Sequence, residues 1–194
     1  KTRKGGIEAD DLLQLLSDQV HRLAESFGSE ANAQQRFEQF LGALNETLAQ
    51  NVRDGRWHVP INQFDAIVGI ACEHQMFLSG NGDIVALFLQ RRSQQRYQIF
   101  NLSRSIQTEQ SLPTWEKPFA VVLDGDLHEG DVFVLSNQDL QRTIPAEDLN
   151  TILTTLPPTG ATEKLRQYFP ERSAVLLTIL KTSDQNEPAY LHET

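Results

Sequence analysis

Apolar residues along this chain follow two periods in turn. Over the first fifty positions they recur at three- and four-residue steps, which gives a helix one apolar face. Leu12, Leu13, Leu16, Val20, Leu23 and Phe27 form the first stripe, and Phe27-Gly28-Ser29 stops it. Phe37, Phe40, Leu41, Leu44 and Leu48 form the second, which Asp54-Gly55 ends. Both stripes read as core-facing surfaces. From residue 64 the period shortens, and short β-rich runs alternate with turn residues. The pattern predicts strands near 66–73, 75–79, 84–90, 97–102, 119–123 and 132–135, separated by Gly80-Asn81-Gly82-Asp83, the polar stretch Arg91 to Arg96, and Gly125 to Gly130. The last turn predicts a hairpin between 119–123 and 132–135, with Gly130 at a positive φ and Glu129 exposed.

Two helices follow. Pro145 suits the first turn of one that carries Leu149, Ile152 and Leu153, and Pro157-Pro158 breaks it. Thr162 is placed to cap the next, which runs to Tyr168 or Phe169. The run Ala174–Leu180 is apolar but for Thr178, which predicts a strand internal to a sheet. Helices, six strands, two helices and a strand make an α+β order rather than an alternating βαβ one.

The 194 residues suffice for a single domain spanning 1–194, with 1–8 and 182–194 as flexible termini or linkers. At 39% hydrophobic and 22% charged, the chain is neither a disordered acidic tail nor a collagen-like rod. The lone Cys72 calls for no oxidising compartment. The net charge of −9 argues against nucleic-acid binding, which needs clustered Lys and Arg. Most of that charge lies in residues 106–150, where nine acidic side chains face only Lys117 and Arg142, a pattern that reads as a solvated face. The chain begins with Lys1 and has no signal-peptide pattern, so it reads as a piece of a longer protein. Lys1, Arg3 and Lys4 hint at a juxtamembrane or linker segment, with any membrane tether outside this chain.

Common chemical motifs are missing. Gly80-Asn81-Gly82 opens a dinucleotide-type pattern, but position 85 is Val where Gly or Ala is needed. Cys72 and His74 would share a strand face, yet two ligands do not make a zinc site. Asn45-Glu46-Thr47 and Asn101-Leu102-Ser103 match the glycosylation pattern, which has no meaning in a reducing compartment. The acids from Asp124 to Asp131 fail the calcium-loop template, because Glu129 stands where its glycine belongs and Leu135 where its bidentate Glu belongs. A reverse turn accounts for them.

The stretch Leu127-His-Glu-Gly-Asp-Val-Phe-Val-Leu-Ser136 resembles the late hairpin of the metal-dependent (PPM, type 2C) protein phosphatases and their SpoIIE-like relatives. In that family it runs on into Ser-Asp-Gly. Gly82-Asp83 followed by Ile84–Leu89 is similar to the family's Gly-Asp-Ser-Arg hairpin. Pro145 to Leu153 and Ala161 to Phe169 resemble the two helices beyond, and Ser173 to Leu180 resembles the closing strand. The resemblance covers residues 9 to 181 and implies two mostly antiparallel sheets packed as a sandwich with helices outside. It also implies two divalent metals held by aspartates, with a metal-bound water as nucleophile.

Against that family the departures are specific. Asn137 and Gln138 stand where the resemblance puts the Asp and Gly of Ser-Asp-Gly, and Arg172 where it puts the Asp of the closing strand. The family's N-terminal Asp-Gly strand has no counterpart, unless Gly5-Gly6 is its remnant. Asp83 alone keeps an acidic motif position, with Asp139 displaced by two. An amide does not offset a dication and a guanidinium repels one. The expectation is therefore an inactive phosphatase-like domain without cofactor, serving a protein partner or passing a signal within a longer cytosolic or membrane-anchored protein. The alternatives are a Mg- or Mn-dependent serine/threonine phosphatase, completed upstream of Lys1 or using Asp83 and Asp139, and a purely structural module.

Overall fold

The computed structural model describes residues 2–26, 32–72, 74–93, 96–109 and 114–182. The expected stop at Phe27-Gly28-Ser29 and the expected terminal linker from 183 onward lie outside the described residues. The chain divides into two compact units, one built from the chain up to Gly82 with Ile106–Gly125, the other from Asp83–Ser105 with the chain from Asp126 onward.

In the first unit, α1 (Thr2–Ser26) and α2 (Ala33–Arg53) precede β1 (Ala66–Cys72) and β2 (Gln75–Asn81), and residues 2–8 continue α1. Gly5-Gly6 thus lies within α1, not in a strand before it. β1 and β2 form an antiparallel hairpin from Ala66↔Asn81 to Cys72↔Gln75. His74 therefore sits in the tight turn and shares no strand face with the half-buried Cys72. The apolar stripe of α2 is the core expected of it. Phe37, Leu41, Leu44 and Leu48 pack with Trp57, Phe64, Val68, Phe77 and Phe119, and Leu12, Leu15 and Leu16 of α1 lie against that cluster. The buried Asn45 amide clamps the Phe119 backbone, donating to its carbonyl and accepting from its N–H, each at 3.0 Å. That double bond satisfies a non-strand segment that burial would otherwise leave unpaired.

The second unit holds β3 (Val85–Ser93), β4 (Arg96–Asn101), β6 (Val132–Ser136) and β7 (Leu177–Lys181) in the order β4-β3-β6-β7, all antiparallel. Between β4 and β6 the chain forms α3 (Leu102–Glu109) and β5 (Leu123–Asp126), and β5 joins the other sheet beside β2. After β6 come α4 (Leu140–Thr143), α5 (Ala146–Thr155) and α6 (Pro158–Arg166). Their apolar residues Leu140, Ile144, Leu149, Leu153, Ala161 and Leu165 cover the sheet face that carries Leu87, Leu89, Val132, Val134 and Ile179. The class is α+β, with two antiparallel sheets and helices, as the element order implies.

Several pairings differ from the expected ones. Residues 119–123 and 132–135 do not form a hairpin, because β6 already spends both edges on β3 and β7. The turn at 80–83 likewise links strands of different sheets. β7 is an edge strand, not an internal one, with Leu176 70% and Leu180 57% exposed and only Ile179 buried. An apolar run reports local burial preference, not the number of neighbouring strands. α6 starts with Pro158 at its first position, where the missing N–H costs nothing, and Thr162 lies inside it, donating to the Pro158 carbonyl. The strand expected to reach residue 102 stops at Asn101, whose carboxamide accepts from the Arg104 N–H and opens α3.

Gly130 has φ +82°, and a Cβ there would stand 2.6 Å from the Arg91 side chain. Beside it Asp131 is 1% exposed, its carboxylate accepting from the N–H groups of Arg91 and His128, both at 2.8 Å. The turn thus depends on one acid as well as on its glycine, which exposed Glu129 does not share. Gly130→Val is expected to lower stability by about 1–3 kcal/mol, read from urea unfolding. Asp131→Ala leaves two backbone donors unpaired and is expected to cost roughly 1–3 kcal/mol, whereas Glu129→Gln leaves the midpoint in place. A Gly130→Val midpoint equal to the parent would refute the steric account.

Candidate functional site

The register of the four-stranded sheet gathers the positions singled out by sequence at one of its ends. Val85 opposes Ser136, and Ser136 opposes Leu177. Asp83 therefore enters β3 where Asn137, Gln138 and Asp139 leave β6 and where residues 172–176 approach β7. Asp83, Asn137, Asp139 and Arg172 are exposed and Gln138 is half-buried.

The side chains there are engaged with backbone. Asn137 donates through Nδ2 to the Ala174 carbonyl (3.1 Å), and its Oδ1 accepts from the Leu176 N–H (2.8 Å). Its own N–H donates to the Leu176 carbonyl at 3.4 Å. Gln138 Nε2 also donates to the Ala174 carbonyl, at 3.3 Å, while the Gln138 N–H donates to buried Ser136 Oγ at 2.9 Å. Both donor and acceptor of the Asn137 amide are thus spent on extending the β6–β7 ladder past its last strand pair. A carboxylate there could accept from Leu176 but could not donate to Ala174.

Asp139 is the N-cap of α4. Its Oδ1 accepts from the Arg142 N–H at 3.1 Å, and its carbonyl accepts from the Thr143 hydroxyl at 3.0 Å. The loop that carries Arg172 is held from within by Arg166, which sequence reasoning passed over. Arg166 donates to the carbonyls of Phe169 (3.1 Å), Pro170 (3.2 Å), Glu171 (2.9 Å) and Ser173 (3.4 Å). A fork of five donors suits this role, but only the folded loop brings four carbonyls within its reach. On the adjoining strand, buried Ser103 accepts from the Ala86 N–H, and Asn101 donates to Gln141 Oε1 at 3.0 Å.

Among the described residues, no three His, Cys, Asp or Glu side chains stand close enough to hold a metal ion. Asp124 and Asp126 are exposed on β5, and Asp131 is committed to its own turn. No helix of the described residues is long and apolar enough to cross a membrane.

No protein-family model matches the chain, and no curated protein matches it in sequence. Solved structures do match in fold. The catalytic domain of the serine/threonine phosphatase PstP, in complex with two manganese ions, superposes with a TM-score of 0.62 at 11% identity, covering 88% of this chain and 80% of that one. PppA, a key regulatory component of the T6SS in Pseudomonas aeruginosa, gives 0.60 at 16% identity, over 87% and 78% of the two chains. The S. agalactiae serine/threonine phosphatase gives 0.60 at 15% identity, over 94% and 83%. PstP corrects one expectation. The sequence reading assigned this fold no cofactor, and the same fold in PstP carries manganese. The side chains described above do not by themselves make a two-manganese centre, since the one amide and the one cap at the sheet end are already engaged. The fold of this chain is that of the metal-dependent serine/threonine phosphatase domains.

Proposed function

We propose that this chain is a phosphatase-fold domain that serves a protein partner or transmits a signal within a longer protein, without hydrolysing phosphate esters. The observation that carries this reading is Asn137. At a position where the resembled family has an aspartate, its amide is built into the backbone link between β6 and the segment before β7. The position has a structural role that an aspartate could fill only in part. Arg172, exposed on the neighbouring loop, adds a positive charge where the resemblance puts a second carboxylate. The acidic balance of −9 favours a protein partner over nucleic acid. Within this reading the domain lies on the cytosolic side, and any membrane tether is outside the chain.

A second reading is a manganese-dependent serine/threonine phosphatase. It is favoured by the two manganese ions of PstP and by Asp83, which holds an acidic motif position at the sheet end. Its reach to Asp139 would require that carboxylate to leave the N-terminus of α4.

An aryl-phosphate assay at millimolar Mn²⁺ separates the two. The expected result is a rate equal to that of Mn²⁺ in buffer. Turnover above that background, abolished by Asp83→Ala, would overturn the first reading and establish the second. A folding measurement checks the role of Asn137 separately. Asn137→Asp removes the donor to Ala174 and sets an anion beside its carbonyl, so it is expected to lower stability by about 1 kcal/mol. An unchanged unfolding midpoint would show that this amide is not a structural link.

A further inference from the structure

The apolar stripe of α1 is wider than the surface its own unit covers. Leu12, Leu15 and Leu16 lie against the core of that unit. Leu13 and Val20, two turns apart on the flank of the same stripe, are 64% and 40% exposed. Elsewhere in that unit the large apolar side chains of α2 are buried or half-buried. A two-turn apolar strip on an otherwise polar helix surface is the geometry of a helix–helix contact.

We propose that the outer flank of α1 is a self-association surface, on which a second copy of this chain packs its own α1 antiparallel. The register follows from the residues. Leu13 of one copy meets Val20 of the other, and the two-fold axis passes between Leu16 and Ser17. Each apolar side chain then has an apolar partner of similar size, with the small Ser17 at the point of closest approach. The same register brings Asp10 of one copy beside His21 of the other, at both ends of the contact. Asp10 and His21 are exposed on the edge of the strip, and the His21 Nδ1 already bonds the Ser17 carbonyl at 2.8 Å, which holds the ring against the helix with Nε2 outward. A parallel pairing in register would instead set Asp10 against Asp10, so the charge pattern selects the antiparallel one. Antiparallel helices also bring opposite dipole ends together. The inference does not depend on whether the domain hydrolyses phosphate esters.

Sedimentation velocity on the 194-residue chain tests it. The weight-average mass is expected to rise from 21.9 kDa towards twice that value as protein is raised to about 500 µM, the range suited to a small, weak contact. Leu13→Glu and Val20→Glu are each expected to hold the chain at the monomer mass. Both positions are exposed, so the thermal midpoint should not move. A chain that stays monomeric throughout, or a Leu13→Glu variant that associates like the parent, would overturn the proposal. Cysteine pairing tests the orientation in a Cys72→Ala background. Leu13→Cys chains mixed with Val20→Cys chains are expected to oxidise to a mixed dimer, and Leu13→Cys chains alone are not. Ready cross-linking of Leu13→Cys alone would overturn the antiparallel register.

Discussion

The antiparallel pairing of β3 with β6, from Val85↔Ser136 to Leu89↔Val132, is the constraint on which the second unit is built. Both strands are buried on both faces, with Leu87, Leu89, Val132 and Val134 towards the helices and Ala86, Phe88 and Phe133 on the reverse. With so little of either strand exposed, a slip of one residue would exchange the two faces and place every side chain against the wrong neighbours. The register is therefore strongly specified, and both ends of the sheet inherit it. At one end it sets Asp83 near Asn137. At the other it brings the Arg91 N–H to the buried carboxylate of Asp131.

The two ends use polar groups differently. At the Asp131 end a charged side chain is fully enclosed and spends its oxygens on backbone N–H groups, which makes the turn rigid. Gly130 and Thr182 add ladder bonds there, so the chain past β7 is tied to the same turn. At the Asn137 end the polar groups are neutral or capping, and they bind carbonyls as well as N–H groups. A carboxylate-rich end would leave oxygens free for a cation. An amide-rich end closes on its own backbone. The difference between a two-metal enzyme and a binding module of the same fold can rest on that change at a few positions.

β7 shows how a sheet edge is handled where no further strand follows. Leu176 and Leu180 are open to solvent, but Lys181 turns its ammonium to the Leu156 carbonyl, and partial burial holds that group below the ordinary lysine range. The strand is five residues long, which limits what another chain could pair with.

Much of this protein was legible in its residues alone. The stripe Phe37 to Leu48, the strands at 66–72 and 132–136, the α+β class and the positive φ of Gly130 follow from local periods and local sterics, which a sequence carries directly. The family resemblance was legible as well, because short motifs at fixed spacing survive where overall identity falls to 11%. What only the tertiary structure decided was partnership. Residues 119–126 and 132–136 read as two arms of one hairpin, yet they belong to different sheets. Ala174–Leu180 read as central, yet it is an edge. Asp131 read as one acid in a solvated run, yet it is buried. Asn137 read as a lost ligand, and the fold shows what the amide does in its place. Each of these depends on which distant backbone groups arrive at hydrogen-bond distance, such as Leu176 at Asn137 or Arg91 at Asp131. The identity of a residue states what it can donate and accept, and only the folded chain supplies the partner.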